Sequence, residues 1–272
     1  MTVTLVSFIL VIRLHLRLWW QFLLSDAMHL LEYRVNFLLG LVRQGATLAL
    51  SIFGQGLLFQ YTDEIAGWSR LELLLLLGVF WVFDAVWDML LDGLSQVTYD
   101  VRAGVMDFVL LRPVSAQFLL SFRRVELLKV VNITTGIALI AYAGRQLELV
   151  WNPWGMLLAL LFCACGFLTI YALRFMLVTC VFWLTSVRTL YDLLGPVFQV
   201  GQYPVVFFSG WVRFFLSFVV PVAFATTFPA EALLGVADAR LLPVGIALAM
   251  LSLYVSHRFW LVAVRRYASA EG

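Results

Sequence analysis

The sequence predicts an all-α polytopic membrane protein: one domain over residues 1–272, with six transmembrane helices, an N-terminal interfacial helix and an outer re-entrant helical hairpin. Two observations carry this. Mean hydropathy is +0.98, with 63% hydrophobic and only 12% charged residues, a balance far too apolar for a water-soluble domain. The apolar runs are also long and do not alternate as the strands of a membrane barrel would, so the spanning backbone must satisfy its hydrogen bonds as helix. A hydrocarbon core about 30 Å thick takes roughly 20 helical residues per crossing, which leaves room for about six crossings with short connections.

Taken in order, residues 1–30 open with an apolar run interrupted by Arg13, His15 and Arg17. Each charge at the centre of a span costs about 2.5–3.5 kcal/mol, so this stretch is expected along the cytoplasmic interface, with Trp19 and Trp20 at headgroup depth. The same interruption, with no small-residue cleavage site after it, argues against a cleaved signal. A first span is expected from about Val35 to Gln60, then a short outer loop with Asp63, Glu64 and a Gly67-Trp68-Ser69 turn. A second span covers about Leu71 to Ser95. A cytoplasmic loop follows at 96–124, and a third span covers about Val125 to Ala143. The fourth span, about Trp154 to Leu184, returns to an inner turn at Arg188, and the fifth starts near Leu190 and breaks up around Gly201–Pro204.

Residues 211–228 are apolar enough to span, but a crossing there would place Arg258, Arg265 and Arg266 outside, against the positive-inside bias. Pro204, Pro221 and Pro229 favour two short helices dipping in from the outer face, a re-entrant hairpin over 203–235. The last span covers about Leu241 to Val262. Both termini then lie in the cytoplasm, with Arg70, Arg145, Arg213 and Arg240 outside. Without a convincing internal repeat, an inverted-repeat transporter is disfavoured.

Inside the second span Asp84, Asp88 and Asp92 recur every four residues, on one helical face. Carboxylates facing hydrocarbon are costly, so this face should meet a polar cavity, a partner helix or basic side chains. Arg43 in the first span and Arg174 in the fourth are candidate counter-ions, and the readings are structural pairing, a polar translocation lining or a proton relay. Cys163, Cys165 and Cys180 lie in apolar runs and read as packed thiols. His15, His29 and His257 have no metal-ligand spacing, so no metal site and no cofactor are expected. No serine or cysteine has a base in a pattern that supports nucleophilic catalysis, and nothing points to nucleic acid. The only lysine, Lys129, follows Leu128, which rules out the G-K-[ST] ending of a phosphate-binding loop. ATP-driven transport would therefore borrow its ATPase from another chain.

The stretch that organises the rest is Val101–Phe118, VRAGVMDFVLLRPVSAQF. Gly104 permits a tight turn, Pro113 stops a helix, and Val105–Leu111 between them reads as a short amphipathic helix with Asp107 and Arg112 as polar handles. Its R-x-G-x-x-D-x-x-L-x-R-P pattern, with LEYRVNFLLG at 31–40, the GWS turn and FFSGWVRFFLSFVVPVAFATTFPAEALLG at 207–235, resembles permeases of the ABC-2 family, in a bacterial export branch. The resemblance implies a multi-pass protein of the bacterial cytoplasmic (inner) membrane that moves an unidentified substrate outward; the aromatic residues of 203–228, among them Tyr203, Phe207, Phe208, Trp211, Phe214 and Phe215, suit an outer interfacial belt or an exit for a lipid-like or amphipathic substrate. It implies a coupling helix whose matching positions are Arg102, Gly104, Asp107, Arg112 and Pro113. It also implies two copies of a separate ABC ATPase and a second permease, of the same or a different chain, among membrane lipids. Two other readings stay open: an ion-coupled transporter using the Asp84/Asp88/Asp92 face, and a non-transporting membrane assembly subunit.

Overall fold

A computed structural model describes residues 2–112, 114–183 and 195–270, with the side chains of residues 2–12, His29, Leu31, Arg102 and 267–270 left aside. The chain is helical almost throughout. Helix α1 (Thr2–Glu32) leads after Tyr33 into α2 (Arg34–Leu58). A two-residue hairpin, β1 (Glu64–Ile65) and β2 (Trp68–Ser69), follows. Its turn residues Ala66 and Gly67 have left-handed φ of 49° and 80°, the backbone that two-residue hairpins need. Ser69 then starts α3 (Arg70–Leu91) with a reciprocal cap: its N–H donates to Glu72 Oε2 at 2.8 Å while its hydroxyl accepts from the Glu72 N–H. The GWS turn of the sequence is thus the end of a hairpin that launches a membrane helix.

Three short helices follow α3: α4 (Gly93–Arg102), α5 (Met106–Leu110) and α6 (Ala116–Phe122). Helices α7 (Val130–Gln146) and α8 (Pro153–Thr179) come next, the second begun by Pro153 and capped by Asn152 Oδ1. The last long helix is α12 (Leu241–Ala270), and α9 (Gly210–Phe214), α10 (Val222–Ala225) and α11 (Thr227–Leu234) lie before it.

Among the described residues, five helical stretches are long and apolar enough to cross a membrane: Arg34–Leu58, Arg70–Val101, Leu127–Gln146, Pro153–Phe182 and Leu241–Arg266. The chain is thus an all-α, multi-pass membrane protein. Of the fifth span expected from about Leu190, residues up to 194 lie outside the described residues, as does Arg188; described residues 195–199 are helical and give way to a 3-10 turn at Val200–Gln202, where the break at Gly201–Pro204 is expected. The longest helical run in described residues 203–235 is the ten-residue Gly210–Val219, whose second half, Phe215–Val219, is π-helical and stops before Pro221. Pro204 and Pro221, which lack the N–H that a continuous helix would use, stand at breaks between the short pieces, whereas Pro229 is accommodated in the first turn of α11.

Two contacts set the bundle. Helices α3 and α7 cross where Gly78 meets Gly136; a Cβ on Gly78 would lie 2.8 Å from the Gly136 carbonyl oxygen. Close backbone approach of this kind is how membrane helices gain packing where lipid tails give no hydrophobic advantage. Helix α8 holds α10 at Gly166, where a Cβ would sit 2.7 Å from the Ala225 nitrogen. Around that contact Phe162, Phe224 and Phe228 pack with ring centroids 4.9–6.0 Å apart.

Candidate functional site

The stretch from α4 to α6 is built to hold one short helix away from the spans. Helix α4 continues α3 after Asp92, so the second spanning stretch, Arg70–Val101, has 32 residues. At 1.5 Å per residue that is about 48 Å, longer than a crossing of about 30 Å needs, and Leu94 and Val97 near its end stay buried in the main core. Gly104, at φ 69°, then reverses the chain, and the Val105 N–H donates to the Asp100 carbonyl at 2.9 Å. Helix α5 has two apolar sides. Met106 and Val109 are buried and hold it to the bundle, whereas Phe108 and Leu111 are 69% and 82% exposed.

The stretch is tied to several spans at once. Asp100, buried near the end of α4, forms a salt bridge with Arg123 at the end of α6. Arg124 Nε reaches Asp92 Oδ2 at 3.1 Å. On α6, the Ser121 hydroxyl lies 3.0 Å from the Tyr171 hydroxyl of α8, which also accepts from Gln117 Nε2 at 3.3 Å. Gln117 Oε1 lies 3.3 Å from His257 Nδ1 of α12. Displacing α5 and α6 therefore pulls on the second, fourth and last spanning helices together.

The carboxylate stripe of α3 points into the bundle. Lys129, at the start of the Leu127–Gln146 stretch, donates to Asp88 Oδ2 at 2.7 Å. Above this pair lies a polar cavity of about 450 Å³ between α2, α3, α7 and residues 195–202; its wall includes Arg43, Gln44, Asp84, Asn132 and Arg174. Gln44, Trp81 and Asn132 are each more than nine-tenths buried around it, yet the Gln44 carboxamide, the Trp81 indole N–H and the Asn132 Oδ1 have no hydrogen-bond partner among the described residues. Buried polar groups of this kind need water or a ligand. The Arg174 guanidinium lies between two rings, 4.6 Å from the Trp87 centroid and 4.2 Å from that of Phe198. Next to the network, just outside the third span, burial pushes the Glu126 carboxyl up from its ordinary value, with Lys129 pulling the other way.

These positions amend the sequence reading. Arg43 and Arg174 are the possible counter-ions named for the stripe; the structure adds Lys129, paired with Asp88, and Arg124, paired with Asp92. The physical reason is helix adjacency: α3 packs along α7, which brings Lys129 beside Asp88, and the chain between α6 and α7 returns to the end of α3. Arg43, Arg174 and Asp84 instead share the cavity wall. Of the motif positions, Gly104 makes the turn, Asp107 lies in α5, and Arg112 follows it exposed. Pro113 and the Arg102 side chain lie outside the described residues. Asp100, in α4 beyond the stripe, escapes the sequence reading because only the packing of α4 against α6 brings it to Arg123. Gln117, Tyr171 and His257 carry no sequence signal either, because only the packing of α6 against α8 and α12 brings them together.

Comparison with known families matches residues 46–271 to the family described as ABC-2 family transporter protein. Comparisons with curated proteins and with solved structures gave no match. The match covers most of the chain, including α3 to α8, the α4–α6 stretch and the last span, and begins after Arg43 and Gln44 of the polar cavity. This chain belongs to the ABC-2 transporter family and is a multi-pass permease component of an ABC transporter.

Proposed function

We propose that this chain is the permease subunit of an ATP-driven exporter and that α5 is the helix through which a separate ABC ATPase drives it. The observation that carries the reading is the exposed Phe108–Leu111 face on a short helix anchored from behind by Met106 and Val109. Two large apolar side chains held in water at the end of a bundle call for a partner surface. Gly104, Asp107 and Arg112 flank that surface, Arg102 and Pro113 complete the proposed coupling set by sequence, and the Asp100–Arg123 and Ser121–Tyr171 contacts would transmit its movement into the spans.

In this reading the α4–α6 end faces the cytoplasm, both termini lie on that side, and residues 203–235 form an outer re-entrant hairpin. The chain has six spans and pairs with a second permease over two ATPase subunits. The polar cavity at Asp84, Arg43 and Arg174 lines part of the route for a lipid-like or amphipathic substrate, whose polar head the unpartnered Gln44, Trp81 and Asn132 groups could meet.

The test is affinity purification of the tagged chain from its native host in a gentle detergent, with mass spectrometry of what accompanies it. Wild type should bring down a P-loop ATPase, and the Phe108→Glu/Leu111→Glu variant should lose it while keeping the wild-type melting temperature. An ATPase bound equally by both proteins would remove α5 from the coupling role. Absence of an ATPase with either folded protein would overturn the exporter reading.

A further inference from the structure

A second cavity, of about 740 Å³, lies at the bundle end that carries α4–α6, in the cleft between the end of α1, the start of α2 and the chain from Arg123 to Leu128. It falls within the range of about 300–1,000 Å³ typical of small-molecule sites. Its wall is mixed: Phe22 and Phe37 give it an apolar side, and charged groups of both signs give it a polar one. Arg123 and Arg124 are already paired with Asp100 and Asp92. That leaves Arg43, Asp26 and Glu126, none of which forms a salt bridge among the described residues. Asp26 uses one oxygen, Oδ2, to accept the Leu127 N–H at 2.8 Å and has the other to spare.

These charges differ in their place relative to the spanning stretches: Arg43 lies within Arg34–Leu58, whereas Glu126 immediately precedes Leu127–Gln146. Arg43 is nine residues into α2, about 14 Å along the axis from Arg34 at 1.5 Å per residue, and it is exposed. A cation at that depth is costly unless an anion meets it. Asp26 and Glu126 stand at the rim, where the chain enters the third span at Leu127. Burial without enough cationic company is what pushes the Glu126 carboxyl up. The cleft thus offers a cation deep and carboxylates shallow, beside apolar side chains. A zwitterionic aminophospholipid has the complementary order: acyl chains in the core, a phosphate below the headgroup surface and a primary ammonium above it.

We propose that this cleft is a binding site for an aminophospholipid of the adjacent leaflet, with its phosphate on Arg43 and its ammonium on Glu126 and Asp26. The site is distinct from the polar cavity assigned to the transport route, and it stands whether or not the chain exports. Arg43 lines both cavities, so an occupied cleft fixes the side chain that also borders the route.

The test uses the delipidated full chain in detergent micelles, titrated with mixed micelles of phosphatidylethanolamine, phosphatidylcholine or phosphatidylglycerol while the melting temperature is followed. Free phosphate with ethanolamine forms a fourth arm. Phosphatidylethanolamine should raise the melting temperature saturably. Phosphatidylcholine, which lacks ammonium N–H donors, and phosphatidylglycerol, which lacks the amine, should bind about tenfold more weakly or worse, the equivalent of one charge-assisted hydrogen bond. Arg43→Gln and Glu126→Gln should each abolish the preference, and Arg145→Gln, at the far end of α7, should keep it. Two variants are used so that a folding failure in one leaves the other decisive. Phosphatidylglycerol matching phosphatidylethanolamine, or a preference that survives in a folded Arg43 or Glu126 variant, would overturn the proposal. An equal response to free phosphate and ethanolamine would overturn the lipid as the ligand.

Discussion

Lys129→Met strands the Asp88 carboxylate inside the second span. Lys129 Nζ sits 2.7 Å from Asp88 Oδ2, with the lysine side chain 13% exposed and the aspartate 35%. Removing one partner of a fully buried pair costs about 3–5 kcal/mol, because the remaining charge is left without compensation. Asp88 is partly screened through the polar cavity beside it, which brings the expected loss down to about 2 kcal/mol. Asp88→Asn should cost somewhat more than that, since the lysine it abandons is the more deeply enclosed of the two. The double variant Asp88→Asn/Lys129→Met removes both charges, so its cost should fall well short of the sum, with a coupling energy of about 1–2 kcal/mol. The assay is reversible unfolding of the purified chain in micelles, followed by tryptophan fluorescence across a denaturant titration. Coupling below about 0.5 kcal/mol would mean that the two residues act independently, and the pairing would not be a stabilising element of the α3–α7 contact.

Gly136→Ala should destabilise the fold by about 1–3 kcal/mol, because its Cβ would lie 2.8 Å from the Gly78 carbonyl oxygen and from Val82 Cγ2. Gly45→Ala, with nothing within 4 Å, should be neutral or slightly stabilising in the same unfolding assay. Arg123→Met leaves Asp100 buried without its cation; we expect a loss of about 3 kcal/mol and faster proteolysis within residues 96–124, the second being absent if the salt bridge does not hold α4 to α6. Glu231, on α11 and outside the five spans, is pushed up to about 7 by burial, against the pull of Arg213. An acid whose folded value is raised stabilises the fold below its ordinary value near 4.5 and loses that contribution as pH rises to about 7. Wild type should therefore melt lower at pH 8 than at pH 5, and Glu231→Gln should flatten that part of the profile; an unchanged slope would remove Glu231 as its source.

Much of this protein is legible in one dimension, and for one reason: a membrane imposes a single direction on every element that crosses it. Apolar run length, the position of prolines and the distribution of arginine follow from that direction, so the helical class, the spans over 35–60, 71–95, 125–143 and 154–184, and the last span can be read from composition along the chain. Gly67 and Gly104 are legible too, because a turn needing positive φ favours glycine wherever it occurs. The broken character of 203–235 follows from its prolines in the same way.

Which faces meet is a different kind of information. The four-residue spacing of Asp84, Asp88 and Asp92 places them on one face of a helix, but charge alone could not choose between Arg43, Arg174, Lys129 and Arg124 as partners. The choice was made by α3 packing along α7 at Gly78 and Gly136, which sets Lys129 beside Asp88 and leaves Arg43 between two cavities. The same holds for Tyr171 and His257, 54 and 140 residues beyond Gln117 in sequence and joined to it only where α6, α8 and α12 converge. The sequence by itself determined that this chain crosses a membrane as helices and where most of them begin and end, because hydrophobicity and backbone satisfaction act locally. Only the tertiary structure decided which charges are paired, which polar groups surround a cavity and which apolar residues of α5 remain uncovered, because those depend on the contacts between helices that are distant in the chain.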